Sequence, residues 1–213
     1  MTNIYNDLFQ FTDVIEPIKL SMHQYLLCSD EAVLIQTGTT SSAAKNLPKI
    51  KELVGDKKIK YILISHFESD ECGGLSVILN EFPDALTVCS ETTARQLYGF
   101  GIARNIKIIN PNETFTTSNF DFQTIGYPSE MHLWEGLLFF EKTRGIFFGN
   151  DLIFQMGETH GLVADSTWEN VLSSHCQNAL PVKTLQEKLM TDLKTITPTF
   201  IATGHSSCFN IIQ

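Results

Sequence analysis

Several function classes are set aside by what this chain lacks. No stretch approaches the roughly 18 to 20 consecutive apolar residues needed to cross a bilayer. The start MTNIYND carries neither the basic nor the apolar region of a signal peptide. A cytoplasmic protein without a membrane partner is the expectation. Positive charge is scarce: 15 Lys and Arg stand against 24 Asp and Glu, and the resulting net charge of -9 repels phosphate backbones, so nucleic acid is not an expected partner. The five cysteines, at 28, 72, 89, 176 and 208, show no CxxC spacing. An odd, scattered set without a signal peptide indicates reduced thiols and no disulfide framework. No GxGxxG element is present to hold a nicotinamide cofactor. Repeats and low-complexity tracts are also absent.

What remains is a chain of 213 residues, 43% hydrophobic, long enough to bury one sizeable core; it is read as a single domain, 1–213. KLSMHQYLL and EAVLIQ, separated by Cys28, Ser29 and Asp30, predict a hairpin. A helix is expected around 46–54. IKYILIS at 59–65 is a continuous β-branched and apolar run, the mark of a strand covered on both faces. Gly73-Gly74 opens a helix through about Glu81, ALTVCS is a buried strand, and TTARQLYGFG is a short helix closed by glycine. IKII, DFQTIGY, GLLFFEK and GIFFG supply further strands, residues 166–195 read as helical, and FIATGHS is a last short strand. Two β-sheets with helices on their outer faces fit this order better than a doubly wound sheet.

Chemistry concentrates in HFESDECGG, directly after the buried strand at 59–65. In an extended backbone alternate side chains share a side, so His66, Glu68 and Asp70 converge there. Alone, this segment reads equally well as a solvated acidic loop with an incidental histidine. Three further segments each place a ligand type at the end of an apolar strand or in a turn: His132 in EMHLWEG, Asp151 in IFFGND and His205 in IATGHSS. Each is weak alone, since a histidine beside an apolar strand is more often a hydrogen-bonded core residue and an aspartate after Gly149-Asn150 is usually a turn former.

Together, the six residues resemble the ligand pattern of the flavodi-iron proteins and the related oxygen-binding di-iron proteins, a branch of the metallo-β-lactamase superfamily. That pattern is an HxExD stretch, then a histidine, an aspartate after eighteen intervening residues, and a final histidine some fifty to sixty residues on. Here His132 and Asp151 enclose eighteen residues, and fifty-three separate Asp151 from His205. The resemblance implies an α/β metallo-β-lactamase-like αββα sandwich of two mixed β-sheets. It implies two iron ions per chain, one on His66, Glu68 and His132, the other on Asp70 and His205, with Asp151 bridging. Glu71 departs from the pattern, standing where the family commonly has another histidine; whether it is a metal ligand is open. As an anionic ligand it would lower the reduction potential and favour holding dioxygen over turning it over.

The hydrolytic branch carries HxHxDH, and Glu68 replaces its second histidine here. Carboxylate with imidazole suits iron in oxygen chemistry, whereas hydrolytic zinc sites are richer in histidine. Charge argues for a metal as well: carboxylates in pairs at about 4 Å repel by roughly 4 kcal/mol at an effective dielectric near 20, a cost removed by divalent cations or by protonation. His23, Tyr127 and Trp134 are candidates for residues that surround the metals. His160 and His175 are expected to be structural or exposed. TGTTSS at 37–42 superficially resembles a flavodoxin phosphate loop, but the superfamily has a threonine- and glycine-containing turn there, and Gln36 stands where hydrolytic members often have aspartate. No flavodoxin domain follows within these residues, so no bound flavin is expected. The resemblance therefore implies binding or sensing of dioxygen, as in the di-iron proteins associated with chemotaxis signalling, or reduction of dioxygen or nitric oxide with an external electron-donor protein. A signalling partner and a homodimer are further expectations. The alternative is a metal-dependent hydrolase of the metallo-β-lactamase type.

Overall fold

The computed structural model describes residues 1–102, 104–129 and 134–212, the side chains of 129, 134 and 135 excepted. The chain divides into two compact units, Met1–Asp13 with Met22–Ile109, and Val14–Ser21 with Asn110–Gln213.

The first unit is built on a seven-stranded mixed sheet, in which β1 (Thr2–Tyr5), β2 (Leu8–Ile15), β3 (Leu20–Cys28), β4 (Ala32–Ile35), β5 (Ile59–Leu63), β6 (Leu86–Cys89) and β7 (Ile106–Ile108) follow one another in spatial order. The expected hairpin is β3 and β4, antiparallel with Tyr25 opposite Ile35 and Cys28 opposite Ala32. From β4 onward the strands run parallel. Helices α1 (Thr40–Val54), α2 (Ser69–Cys72), α3 (Leu75–Glu81) and α4 (Glu91–Gly99) connect them. Leu34, Ile62, Ile64, Leu75, Ile78 and Leu97 are buried in one cluster with Ile50 and Val54 of α1. That burial on strand and helix explains why IKYILIS shows no polar alternation.

A second seven-stranded mixed sheet has the order β12-β14-β13-β11-β10-β9-β8, formed by β8 (Thr114–Thr116), β9 (Asp121–Ser129), β10 (Trp134–Glu141), β11 (Ile146–Phe154), β12 (Val163–Ser166), β13 (Phe200–His205) and β14 (Cys208–Ile211). β11 and β13 are parallel, as are β12 and β14. α5 (Trp168–Val171) runs into a π-helical turn, Leu172–Cys176, and α6 (Lys183–Leu193) follows. Ile125, Leu138, Phe147, Ile153, Leu172, Leu189 and Ile201 form this unit's core.

Three expectations need correction. α1 begins at Thr40 and not near 46, because Thr39 caps it, its hydroxyl accepting from Ser42 N at 3.2 Å. The helix expected over 166–195 is broken. Residue 166 still belongs to β12, and between Cys176 and Lys183 the chain leaves the helix around Pro181, a bend held by Gln186, which donates to Cys176 O at 2.7 Å and accepts from Leu180 N at 2.8 Å. Finally β1, β2, β8, β12 and β14 were not expected at all. β1 and β2 form an antiparallel pair, Thr2 opposite Gln10, joined through Asn6 in a left-handed conformation (φ 47°).

Gly74 sits where backbones crowd: a Cβ there would collide with Ala43 Cβ and lie 2.9 Å from Thr37 O. Gly99, at the end of α4, has nothing within 4 Å of an added Cβ. Gly74→Val is therefore expected to cost about 2 to 3 kcal/mol through overpacking, while Gly99→Ala should gain roughly 0.5 to 1 kcal/mol from helix propensity. Urea unfolding of both variants checks the pair; equal effects would contradict the packing assigned to Gly74.

Candidate metal centre

In the first unit the donor residues follow β5. Ile64 N still bonds to Val88 O at 3.0 Å, and the chain then leaves the sheet through Ser65 and His66, both fully buried. Extended backbone persists only as far as Glu68 (φ -137°, ψ 166°), where α2 begins. Alternation thus brings Glu68 beside His66, with Oε2 at 3.4 Å from His66 Nε2. The next donor comes by helical spacing: Glu71, three residues on, places Oε2 at 3.9 Å from the same nitrogen. Extended geometry was expected to carry through Asp70; the turn of α2 instead sets Asp70 and Glu71 with carboxylate oxygens within 4.8 Å of each other. Glu71 is 3% exposed, so it is not a solvated loop residue.

The turn after β4 holds this segment. Thr37 donates to Glu71 O from N at 2.7 Å and from its hydroxyl at 3.1 Å. Gly74 N donates to Gly38 O at 2.7 Å, and the Thr40 hydroxyl to Gly73 O at 2.8 Å. These groups of TGTTSS are engaged with the acidic segment, which gives the loop a structural role. His66 Nδ1 is 2.9 Å from Ser65 Oγ, which accepts from Gln36 Nε2 at 2.7 Å. His23, 3% exposed, has its Nδ1 at 2.8 Å from Thr12 Oγ1. An apolar cavity lined by Phe67, Cys72, Leu97, Phe100 and Ile102 adjoins Glu68.

In the second unit Asp151 lies in β11 immediately after Asn150, whose left-handed φ of 41° accompanies an irregularity in the pairing of β11 with β13. His205 ends β13. Its Nδ1 is 2.9 Å from Ser21 O, and its Nε2 is 3.2 Å from Asp151 Oδ1. Ser21 is itself fixed, since its Oγ accepts from Thr159 N at 2.8 Å and its N donates to Gly157 O at 3.3 Å. A carbonyl oxygen can only accept, so Nδ1 of His205 carries a proton, and a ring left neutral presents its Nε2 lone pair to the carboxylate. Two lone-pair atoms at that distance repel unless a proton or a metal cation stands between them. A histidine whose other ring nitrogen donates to a backbone carbonyl is the usual disposition of a metal ligand, and the imidazole-carboxylate set fits iron or zinc. Tyr127, 7% exposed, has its phenol pushed up by burial and then by the charge of Asp151, so it stays a hydroxyl donor. His132 lies outside the described residues, as does the side chain of Trp134. His160 is exposed, and the His175 ring packs 5.6 Å from Phe209.

Sequence reasoning missed Ser65 and Ser21 as partners of the site histidines. Ser65 has a faint signal, adjacency to His66. Ser21 acts through its carbonyl, which no side chain announces.

The chain matches, over residues 20–206, the family described as ODP family beta lactamase. It belongs to that family. The flavorubredoxin of Salmonella arizonae, an anaerobic nitric oxide reductase, is 24% identical over 160 residues, 74% of this chain and 33% of that one. Among solved structures, a flavo di-iron protein variant from Thermotoga maritima superposes with TM-score 0.77 at 18% identity, covering 98% of this chain and 57% of that one. The rubredoxin oxygen:oxidoreductase of Desulfovibrio gigas gives TM-score 0.74 at 16% identity, covering 98% and 57%. The chain thus spans about a third of the curated relative and rather more than half of the structural ones. The fold is the metallo-β-lactamase-like α/β sandwich of two mixed sheets, as the residue pattern implied.

Cys72 Sγ donates to Glu68 O at 3.1 Å, and burial pushes its thiol up to about 12, as burial also does for Cys89 and Cys176. None is a nucleophile near neutrality. Because the folded values lie above the unfolded one of about 9, the stability these thiols contribute is complete below pH 9 and is lost as pH rises towards 12. Denaturant midpoints at pH 8 and pH 10.5 should fall accordingly, and the three thiols should resist a thiol reagent at pH 8 until the chain unfolds. Rapid labelling of all three in the native protein would contradict this.

Proposed function

We propose that this family member is a non-haem di-iron protein that binds or senses dioxygen, with reduction of dioxygen or nitric oxide when an external donor supplies electrons. The observation that carries the proposal is Glu68, a carboxylate facing His66 at 3.4 Å where the hydrolytic branch has a histidine. The named relatives support it in kind: one is a nitric oxide reductase, one a flavo di-iron protein, one an oxygen oxidoreductase. In this reading His66, Glu68 and His132 hold one iron, Asp70 and His205 the other, and Asp151 bridges. Glu71, buried and 3.9 Å from His66 Nε2, joins the ligand set.

Two ferrous ions, when bound, would supply the electrons for capturing a diatomic gas. The chain's own residues do the rest. Ser21 orients His205, Thr37 fixes the backbone at Glu71, and Tyr127 offers a hydroxyl proton without giving it up. Residues 1–213 act as a single domain in the cytoplasm, in a homodimer, with a protein partner that reads the ligand state or delivers electrons.

Protein purified without air from iron-replete cells is expected to hold about two irons per chain, no stoichiometric flavin, and an absorption spectrum that changes on admitting oxygen. His66→Ala and His132→Ala should each lower the iron content. Zinc in place of iron, together with esterase or lactamase activity, would overturn the proposal in favour of the hydrolase. Unchanged metal content in both variants would overturn the ligand assignment.

A further inference from the structure

The two proposed ligand histidines within the described residues, His205 and His66, are held with opposite hydrogen-bond polarity. His205 Nδ1 faces a carbonyl, Ser21 O at 2.9 Å, and must donate. His66 Nδ1 faces a hydroxyl, Ser65 Oγ at 2.9 Å, which can act either way. What decides is the third residue. Gln36 follows β4 in a left-handed conformation (φ 61°), its N bonded to Leu63 O at 2.9 Å and the residue 4% exposed. Its amide is oriented by Ser65 N, which donates to Oε1 at 3.4 Å, so Nε2 is the atom on Ser65 Oγ, at 2.7 Å. An amide nitrogen can only donate. Ser65 Oγ therefore accepts from Gln36, and its single proton, on a residue with no exposure, goes to its other described partner, His66 Nδ1.

We infer that Gln36 is a positioning residue that, through Ser65, sets the tautomer of His66 and so weakens that histidine as a metal ligand. With Nδ1 accepting, a neutral ring carries its proton on Nε2, which lies 3.4 Å from Glu68 Oε2 and 3.9 Å from Glu71 Oε2. A metal at Nε2 then needs that proton moved to Nδ1, which turns the Ser65 hydroxyl from donor to acceptor and leaves its buried proton without the acceptor it had. A carboxylate at position 36 reverses the relay: it accepts from Ser65 Oγ, Ser65 accepts from His66 Nδ1, and Nε2 offers its lone pair. His205 is preset for metal, and His66 is preset for a proton. The inference rests on His66 being a ligand in the proposed function, but its first test needs no iron.

Metal-free protein labelled with nitrogen-15 at its six histidines, with His66→Gln assigning the signal, is expected to show His66 protonated at Nε2 in the wild type and at Nδ1 in Gln36→Glu. Titration with cobalt(II) alone, against a chelator, should show Gln36→Glu binding roughly ten- to hundredfold more tightly at one site, the usual reach of groups that orient a metal ligand. Added negative charge alone could raise affinity, so the double variant Gln36→Glu with Ser65→Ala separates the causes. The relay requires Gln36→Glu to add little affinity once Ser65→Ala is in place. An undiminished gain from Gln36→Glu in the Ser65→Ala background, or a wild-type His66 protonated at Nδ1, overturns the inference. Should Gln36→Glu fail to fold, the wild-type tautomer and the cobalt affinity of Ser65→Ala, expected to exceed the wild type, still decide it. A chain that carries zinc would sink the iron reading and leave this result standing.

Discussion

A neutral imidazole has two nitrogens and one proton, so whatever grips its far nitrogen decides whether the near one can take a metal. Much of the local architecture at these strand ends serves that constraint. In the second unit a backbone carbonyl, Ser21 O, grips His205, and Ser21 is in turn bonded to Gly157 and Thr159. In the first unit the grip on His66 passes through a hydroxyl to an amide at the end of the neighbouring strand, Gln36 just after β4. Both histidines are at least 95% buried, so neither can turn to solvent for a substitute partner.

Crowding carboxylates into one segment has its own requirement. Glu68, Asp70 and Glu71 fall within four residues, and Glu71 is buried. Mutual repulsion would spread such a loop unless its backbone were tied down. The ties come from the preceding crossover: Thr37 on the Glu71 carbonyl, Thr40 on Gly73, Gly38 on Gly74. The same threonines that mimic a phosphate loop are thus spent on holding acidic residues in place. Gly74, which admits Ala43 and the Thr37 carbonyl, allows the two segments to lie that close.

How much of this was legible in the sequence depended on the kind of signal. β5 and the β3-β4 hairpin were readable because continuous apolar burial and a clear turn leave strong patterns. β1 hides in a polar start and β12 presents an exposed pattern, so neither has the apolar alternation of a half-buried strand. The break after Cys176 is written in Pro181, but its stabilising partner, Gln186, is visible only once α6 is placed. The six candidate donors stood out through their spacing, and the structure brings Glu68 beside His66 and Asp151 beside His205. The reason Glu71 faces His66 was not, since it depends on α2 starting at Ser69 and replacing alternation with helical spacing. Hydrogen-bond polarity left no trace in residue types alone, because serine serves equally as donor or acceptor.

The proposed function requires a paired iron centre held by nitrogen and oxygen alone. Iron K-edge X-ray absorption of protein purified without air tests this most directly. The prediction is a first shell of nitrogen and oxygen scatterers with no sulfur, despite Cys72 lying next to the acidic segment, and a second iron as a resolved scatterer beyond it. A single isolated iron, a sulfur ligand, or an edge belonging to zinc would contradict it.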